Sequence, residues 1–311
     1  MILVRCQRRG HDRGTGMEFQ HIKGNTYALE VNGAAIGVYG FGDHRCLLID
    51  SGPSPAWGKE ILANLEQRGW KVQAIFNTHG HADHCGGNHF IQDRTDCRIL
   101  AAALEAAFIE QPILIPYSMY GAFPPRLLQA KFVMPQASQV TDLVSEGPLT
   151  IKGQRFEVLE LGGHTLGHLG ICTPDGVLFS GDSLIAPEML DLNPFLCLAD
   201  PGRQLATLEK IRSVNYPLLY LSHGGRQEDV PAMAEVNRAL LMHILDVLVE
   251  LLRRPLSHEE VTAAMIAGQR LQVNRNHYFR LSASIAAFLA YLSNQGQIKS
   301  YTENGRLLYR A

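Results

Sequence analysis

The stretch THGHADHCGGN, residues 78–88, places three histidines and an aspartate within six positions after an apolar run, KVQAIFNT. The run predicts a buried strand, and alternating imidazoles at its end add nothing to a hydrophobic core. On an extended or loop backbone, residues two apart project to the same side, so His79 and His81 can bind one cation. Asp83 and His84 follow on the turn and can bind a second. Imidazole and carboxylate together suit Zn²⁺, and also Fe or Mn, so the cluster predicts a metal site at this strand end.

Four ligands are too few for two cations, and three further candidates follow strand-like runs downstream. His164 comes after RFEVLEL in a glycine-flanked turn, Asp182 ends GVLFSGD, and His223 follows PLLYLS. A single aspartate or histidine at a strand end is more often a capping residue. Together, and in this order, the side chains predict a site for two metal ions with seven ligands: His79, His81, Asp83, His84, His164, Asp182 and His223.

From Met17 onwards the chain alternates short strands with helices, in two similar halves. The first half runs from NTYALEV through the helix AWGKEILANLEQRG to the strand RILA. The second runs from LTIKG through the helix RQLATLEKIRSV to the strand PLLYLSHGG, before a long amphipathic helix. This alternation predicts an α+β or α/β protein in which two sheets carry helices on their outer faces, a four-layer αβ/βα sandwich.

Residues 105–146 differ, because they are apolar, aromatic and interrupted by prolines without a clean period of either kind. A long irregular segment inside a compact domain is usually either functional or wrongly assigned. Two interpretations stay open for it. The segment is either a partly helical lid near the site or a peripheral insertion that serves packing.

The composition changes after Pro255, where SHEEVTAAMIA begins with a capping-box pattern, Ser257 to Glu260. The next run, YFRLSASIAAFLAYLSNQG, is helical, and QIKSYTENGRLLYR predicts a hairpin around Asn304-Gly305. Helix, helix and hairpin in this order resemble a winged-helix module.

The helix that would read nucleic acid, residues 279–294, carries Arg280 as its only charge, so it is poorly suited to bind phosphates. We therefore expect the C-terminal part to serve packing, dimerisation or closure of the site. These observations divide the chain into three parts: a disordered tail of residues 1–16, a catalytic domain of residues 17–235, and a small helical, winged-helix-like domain of residues 236–311.

The combined motifs resemble the metallo-β-lactamase-fold hydrolase superfamily, and most of all its glyoxalase II-like branch. The similarity covers about residues 19–230. The matching motifs are His79-x-His81-x-Asp83-His84, Gly86-Gly87-Asn88, Gly163-His164-Thr165, Gly181-Asp182 and His223-Gly224. The resemblance implies the four-layer metallo-β-lactamase sandwich.

The resemblance also implies how the seven ligands divide between two metal ions. One metal takes His79, His81 and His164. The other takes Asp83, His84 and His223, and Asp182 bridges both. Asp50, at the end of CLLID, matches an acid that orients a ligand histidine in this family. The alternative for Asp50 is a cap of the strand end.

His168, in HTLGH, matches a family histidine that is usually not a ligand but supports the site. We group it with Asp83 and Asp182 as candidate catalytic residues. Two metal ions at such a site, zinc first and iron or manganese as alternatives, would acidify a shared solvent molecule, and the resulting hydroxide would attack a carbonyl or phosphoryl centre. The resemblance thus implies hydrolysis of a thioester, lactone or related ester. Cys85 fits a buried filler better than a ligand.

Two other classes of function stay open. Some proteins with similar motifs hold a single iron and oxidise persulfides, and some nucleases share the fold. A β-lactamase is disfavoured because no export signal is visible, and strict glyoxalase II because residues 236–311 show no basic cluster for glutathione. We expect a small-molecule substrate, and a homodimer through the C-terminal domain is possible.

The composition gives no general attraction to nucleic acid or membranes, because 28 basic residues face 30 acidic ones. No apolar run approaches the roughly 18 residues of a membrane span. Four arginines, Arg5, Arg8, Arg9 and Arg13, lie in the predicted tail, unless translation starts at Met17. The six cysteines are scattered without CxxC spacing, which is typical of a reducing compartment, so we expect a cytoplasmic protein.

Overall fold

The computed structural model describes residues 16–31, 34–187, 189, 195–214 and 216–311. The tail predicted for residues 1–16 lies outside the described residues except for Gly16, and so do its four arginines. Within the described ranges, the strands form two large sheets and one separate hairpin.

The first sheet contains seven described strands that lie side by side in chain order. Neighbours from β1 to β4 pair antiparallel, and those from β4 to β7 pair parallel. Its strands are β1 (Glu18–Lys23), β2 (Thr26–Val31), β3 (Ala34–Gly40), β4 (Arg45–Ile49), β5 (Lys71–Phe76), β6 (Arg98–Ala101) and β7 (Asp142–Leu143). Helix α1 (Pro55–Glu66) connects β4 to β5, and helices α2 (Ala82–Cys85) and α3 (Asn88–Thr95) lie between β5 and β6.

Helix α1 shows how local sequence sets these connections. The Ser54 hydroxyl accepts a hydrogen bond from the Trp57 N–H, and Pro55 occupies the first turn, where its missing N–H costs nothing. After the helix, the chain turns through Gly69 at a φ of +68°, which favours glycine. The predicted helical run and its glycine stop are therefore confirmed.

The second sheet contains six described strands in the order β13-β12-β11-β10-β9-β8. Its strands are β8 (Gly147–Ile151), β9 (Gln154–Glu160), β10 (Leu169–Cys172), β11 (Val177–Phe179), β12 (Leu218–Leu221) and β13 (Gly225–Gln227). Only β11 and β12 pair parallel within this set, and helix α6 (Pro201–Ser213) lies between them in the chain.

The two sheets pack face to face, because one buried cluster contains side chains from both. Leu47 and Phe76 of the first sheet share it with Phe156 and Ile171 of the second. Helices α1 and α3 cover the outer face of the first sheet through a second cluster. Helix α6 and the C-terminal helices cover the second sheet through a third. The predicted four-layer sandwich of mixed α and β structure is confirmed.

The segment 105–146 is partly helical, with α4 (Ala103–Glu110), α5 (Leu114–Tyr120) and a 3₁₀ turn at Arg126–Gln129. Helix α5 packs against the C-terminal helices, where the rings of Tyr120 and Phe279 lie 5.5 Å apart. The helical half of the prediction is borne out, whereas its role as a lid stays a prediction.

The C-terminal part follows the predicted order of helix, helix and hairpin. Its elements, after the long helix α7 (Val230–Leu251), are α8 (His258–Gly268), α9 (Arg275–Asn294), β14 (Lys299–Glu303) and β15 (Arg306–Arg310). The Ser257–Glu260 capping box is present, and Asn304 and Gly305 both adopt the positive φ of a two-residue hairpin turn. Helix α9 begins before the predicted Tyr278, because the Asn274 side chain caps it by accepting from two backbone N–H groups.

A single core continues across the predicted boundary between residues 235 and 236, which lies inside α7. Leu219 of β12, Leu241 of α7 and Phe288 of α9 belong to the same buried cluster. The Ser284 hydroxyl of α9 also accepts from the backbone N–H of Leu198 at 2.8 Å and donates to the carbonyl of Leu196 at 3.2 Å. The C-terminal helices therefore pack as part of the second sheet's outer layer.

Candidate metal centre

The predicted ligands come together where several strands end at one edge of the sandwich. His79 and His81 follow β5, His164 follows β9, Asp182 follows β11, and His223 follows β12. Their side-chain nitrogen and oxygen atoms, with those of Asp83 and His84, form three overlapping groups whose members lie within 4.8 Å of one another. The groups are His79, His81 and His164; His79, His84 and Asp182; and Asp83, His84 and His223.

Three imidazole nitrogens converge on one side of the site. The Nδ1 atom of His81 lies 3.0 Å from Nε2 of His79 and 2.9 Å from Nε2 of His164. The ring of His79 is fully buried, whereas His81 and His164 are partly exposed. This is the donor set that a zinc ion prefers in hydrolytic sites.

The carboxylate of Asp182 lies between this group and the remaining ligands. Its Oδ2 atom is 3.6 Å from Nε2 of His164, and its Oδ1 atom is 3.3 Å from Nε2 of His84. The same Oδ1 atom is 3.8 Å from Nε2 of His223, which lies 3.7 Å from Oδ2 of Asp83. The two oxygens of Asp182 thus face two different histidine groups.

Hydrogen-bond partners outside the site fix the proton positions on the histidines that are predicted as ligands. The Nδ1 atom of His164 lies 3.0 Å from the carbonyl oxygen of Cys197, which can only accept, so its proton sits on Nδ1. The Nδ1 atom of His84 likewise faces Oδ2 of Asp50 at 2.7 Å. With the proton on Nδ1, each ring in its neutral form presents a lone pair at Nε2 toward the site, as metal binding requires.

Asp50 is buried and hydrogen-bonds both the strand end that carries His79 and the ring of His84. Its Oδ1 atom accepts from the Thr78 N–H at 2.8 Å, and its Oδ2 atom accepts from the Thr78 hydroxyl at 2.8 Å. The same hydroxyl lies 3.1 Å from Nδ1 of His79 and accepts a hydrogen bond from its N–H, since the hydroxyl's own hydrogen points at Asp50. Asp50 adopts a φ of +65°, a conformation that aspartate and asparagine tolerate better than most residues.

A buried amide network holds the turn that carries Asp83 and His84. Asn88 donates to Oδ1 of Asn77 at 2.7 Å and accepts from the Ser51 hydroxyl at 2.7 Å. Asn77 in turn donates to the carbonyl of His84 at 3.3 Å. The Asn88 of the predicted GGN motif thus supports the ligand turn from below.

The pKa shifts divide the site into two parts: imidazoles that stay neutral on one side, and ionised carboxylates with their histidine partners on the other. Burial and neighbouring imidazoles hold the pKa values of His79 and His81 well below the usual range, and burial lowers the pKa of His164. Burial opposes ionisation of Asp83 and Asp182, but nearby His84 and His223 outweigh it and keep both carboxyl pKa values well below normal.

The same carboxylates act on His84. Burial alone lowers its pKa, but Asp182 and Asp50 on either side outweigh this and raise it well above the usual value. The Nε2 atom of His84 is buried, and no described residue offers it a well-aligned hydrogen bond. Lone pairs, two anionic carboxylates and this orphaned nitrogen together fit a divalent cation.

His168 is not a member of the three groups, but it supports one of their members. Its Nε2 atom accepts a hydrogen bond from the Asp182 N–H at 3.1 Å, and its ring stacks on that of His79 at 4.8 Å. Cys85 is buried, with its thiol directed at the carbonyls of Gly80 and His81. Its pKa is raised well above normal by burial, so a neutral filler suits it better than a ligand.

Glu105 contacts the site and was missed by the sequence interpretation. It is 2% exposed and accepts hydrogen bonds from the N–H groups of Gly80 and Gly167. Burial raises its pKa, and the Thr165 side chain together with the two N–H donors partly offsets this. The available signal was an acid on the apolar face of ALEAAFIE, four residues after β6.

The chain matches the family model described as "Metallo-beta-lactamase superfamily" over residues 30–223. A hydroxyacylglutathione hydrolase from Rhodospirillum rubrum is 31% identical over 208 residues, covering 65% of this chain and 67% of that protein. The lactamase-like protein aptB from Emericella nidulans is 24% identical over 210 residues, covering 67% of this chain and 56% of that protein. A hydroxyacylglutathione hydrolase from Cereibacter sphaeroides is 33% identical over 128 residues, covering 40% of this chain and 39% of that protein.

Two solved structures match nearly the whole chain. A metallo-beta-lactamase family protein from Thermus thermophilus has a TM-score of 0.69 at 20% identity, covering 95% of this chain and 99% of that one. A beta-lactamase domain protein from Burkholderia ambifaria has a TM-score of 0.70 at 19% identity, covering 94% and 93%. At these identities the matches establish a shared fold, which includes most of the C-terminal region.

Proposed function

Since this chain belongs to the metallo-beta-lactamase superfamily and is a metal-dependent hydrolase, we propose that it cleaves a thioester, lactone or related ester at a two-metal site. His79, His81 and His164 would hold one ion. Asp83, His84 and His223 would hold the other, and Asp182 would bridge the two. Zinc is the ion that this mixture of imidazole and carboxylate suits best, with iron or manganese as alternatives.

The observation that carries the proposal is the orientation of Asp182. Its Oδ2 atom faces His164 at 3.6 Å, and its Oδ1 atom faces His84 at 3.3 Å. A carboxylate that served a single ion would not need its two oxygens directed at opposite groups of ligands. The separation of the histidines into two groups around one aspartate therefore supports two ions.

The chemistry needs a nucleophile and an electrophile, and the metals supply both when bound, by acidifying water and polarising the substrate carbonyl. The chain's own residues complete the site. Asp83 keeps an anionic, partly exposed carboxylate 3.7 Å from Nε2 of His223, where it is ready to bind a cation. His168 fixes the backbone of Asp182 and so its orientation. None of these steps uses a serine or cysteine nucleophile.

An ester or thioester with an apolar body fits the surroundings of the site. Leu104 is 52% exposed and lies against the loop of His164 and His168, because a Cβ on Gly167 would sit 3.1 Å from its Cβ. The following helix and loop expose more aromatic side chains: Tyr117, Tyr120, Phe123 and Phe132. Names of the relatives point the same way, since hydroxyacylglutathione is a thioester.

The test is a panel of thioesters, lactones and phosphodiesters, run on protein whose metal content has been measured after anaerobic purification. We expect two zinc ions per chain and turnover of thioesters or lactones, with Asp182→Ala losing both. An Asp182→Ala protein that keeps its activity without metal would refute the assignment.

A second candidate is an iron-dependent oxidation of persulfides. One observation favours it: His79, His84 and Asp182 form a group of two histidines and one carboxylate, a set typical of non-haem iron. The same metal analysis separates the candidates, because two zinc ions exclude this reading and a single iron supports it. Cleavage of nucleic acid is disfavoured, since the apolar residues of α9 pack into the core.

We further propose that the enzyme works in the reducing cytoplasm, since all five described cysteines are free and four of them are buried. Among the described helices, none has the length and apolar character needed to cross a bilayer. A homodimer through the C-terminal region is the partner arrangement that we propose, and light scattering of the purified protein tests it.

A further inference from the structure

We infer that Glu105 is a positioning residue that ties the two ligand loops together, one from each sheet. The inference rests on the proposed metal site, whose geometry these loops set. Glu105 lies in α4, which follows β6 of the first sheet and reaches toward the second. It contacts the loops through their backbone, so it acts on the ligands through the chain and not through the substrate.

The two carboxylate oxygens of Glu105 serve one loop each. Oε2 accepts from the Gly80 N–H at 2.8 Å, and Gly80 stands between His79 and His81. Oε1 accepts from the Gly167 N–H at 2.9 Å, next to His168. A single side chain thus connects the loop after β5 with the loop after β9.

The fit leaves little space for another arrangement. A Cβ on Gly80 would lie 2.9 Å from the Cβ of Phe108 and 3.3 Å from Oε2 of Glu105. A Cβ on Gly167 would lie 3.0 Å from Oε1 of Glu105. Both loops therefore touch α4 directly, and their bare glycine backbones allow the carboxylate to reach both N–H groups.

A carboxylate does this better than any neutral side chain. It offers two acceptor oxygens at a fixed separation, and hydrogen bonds to a charged acceptor are stronger than neutral ones. An amide at this position presents one oxygen and one NH₂, so one of the two loops would face a donor instead of an acceptor. Burying a charged carboxylate costs free energy because the group loses its hydration. The two buried N–H donors offset this cost, which packing alone would not do.

The decisive variants are Glu105→Gln, which keeps the volume but loses one acceptor, and Glu105→Ala, which loses both. We expect zinc affinity, measured by competition with a chromophoric chelator, to fall about 10–100-fold, as for other residues that support metal ligands. Excess zinc should restore part of the kcat of Glu105→Gln, because the defect lies in holding the metal. Ile61→Ala in α1 is the control, since it opens a core cavity away from the ligands and should lower the Tm with unchanged zinc affinity.

Hydrogen exchange of the metal-free protein gives a second readout that requires neither zinc nor substrate. We expect Glu105→Gln to speed exchange in the peptide around Gly80 or Gly167, whichever loses its acceptor, and Glu105→Ala to speed it in both. Ile61→Ala should leave both unchanged. Wild-type zinc affinity in Glu105→Gln, or unchanged exchange in both loops, would overturn the inference. A wild-type protein that binds zinc but cleaves no ester would refute the proposed function alone. The inference on Glu105 would still be tested by the zinc affinity and hydrogen exchange of its variants.

Discussion

Replacing Asp50 by Asn tests whether the proton position on a ligand histidine controls metal binding. The change keeps the shape of the side chain, and asparagine tolerates the φ of +65° at this position. Its Oδ1 atom can still accept from the Thr78 N–H. The new NH₂ group, however, replaces the Oδ2 atom that lies 2.7 Å from Nδ1 of His84.

Two consequences follow for His84. To accept from the new NH₂ group, Nδ1 must lose its proton, which then moves to Nε2. Nε2 is the atom that faces Asp182 Oδ1 at 3.3 Å, so its lone pair is no longer available to a metal. Loss of such an outer partner costs about 10–100-fold in metal affinity, which corresponds to about 1.4–2.7 kcal/mol. The loss of charge on a hydrogen-bonded acceptor lowers the free energy of unfolding by about 1–3 kcal/mol.

The assay is zinc competition with a chromophoric chelator, followed by thermal unfolding of the metal-free protein. Asp175→Asn is the matched control, because Asp175 also accepts from a backbone N–H, at 2.8 Å, and from a threonine hydroxyl, at 2.7 Å. Asp175 precedes β11 whereas Asp182 follows it, so the control should lose stability but keep its zinc affinity. If Asp50→Asn held zinc as tightly as the wild type, the argument from the proton position would fail.

Three further predictions concern the ligands, the shared core and the buried thiols. His81→Ala should lose metal and hydrolysis together, whereas Cys85→Ser should keep both, as metal analysis and turnover will show. Phe288→Ala should lower the free energy of unfolding by about 3–5 kcal/mol and still unfold in one transition in urea, because one core joins α9 to the second sheet; two separated transitions would contradict this. Burial raises the pKa of Cys46 to about 12, so the unfolded thiol ionises first and its contribution to stability is lost as the pH rises from about 9 to about 12. The urea midpoint of Cys46→Ala should therefore fall less steeply over that range than the wild-type midpoint.

Much of the fold was predictable because strong local signals agree with the tertiary structure. The strand before the histidine cluster, the capping box at Ser257 and the Asn304-Gly305 turn each depend on a few neighbouring residues. The segment 105–146 was not, because α4 and α5 span only eight and seven residues. Helices of about two turns are too short to display a clear period.

The candidate site also has a part that was predictable from the sequence, the ligands, and a part that was not, the contacts that support them. The predicted ligands follow strands, so the carboxyl ends of those strands bring them to one place. Their supporting contacts cross long distances in sequence, as between Glu105 and Gly167 or between His164 and Cys197. An acid in an apolar helix or a carbonyl in an irregular loop carries no motif, and only the folded chain identifies its partner.

The hydrogen bonds of the Ser284 hydroxyl mean that a C-terminal truncation would affect the metal centre. The hydroxyl hydrogen-bonds the backbone at Leu196 and Leu198, on either side of Cys197. The Cys197 carbonyl in turn accepts from Nδ1 of His164, which leaves Nε2 as the nitrogen with the lone pair. A stop codon upstream of residue 284 would therefore also remove the hydrogen bonds that hold the carbonyl facing the predicted ligand His164. We expect truncated forms of the enzyme to contain less metal per chain after purification than the full-length protein.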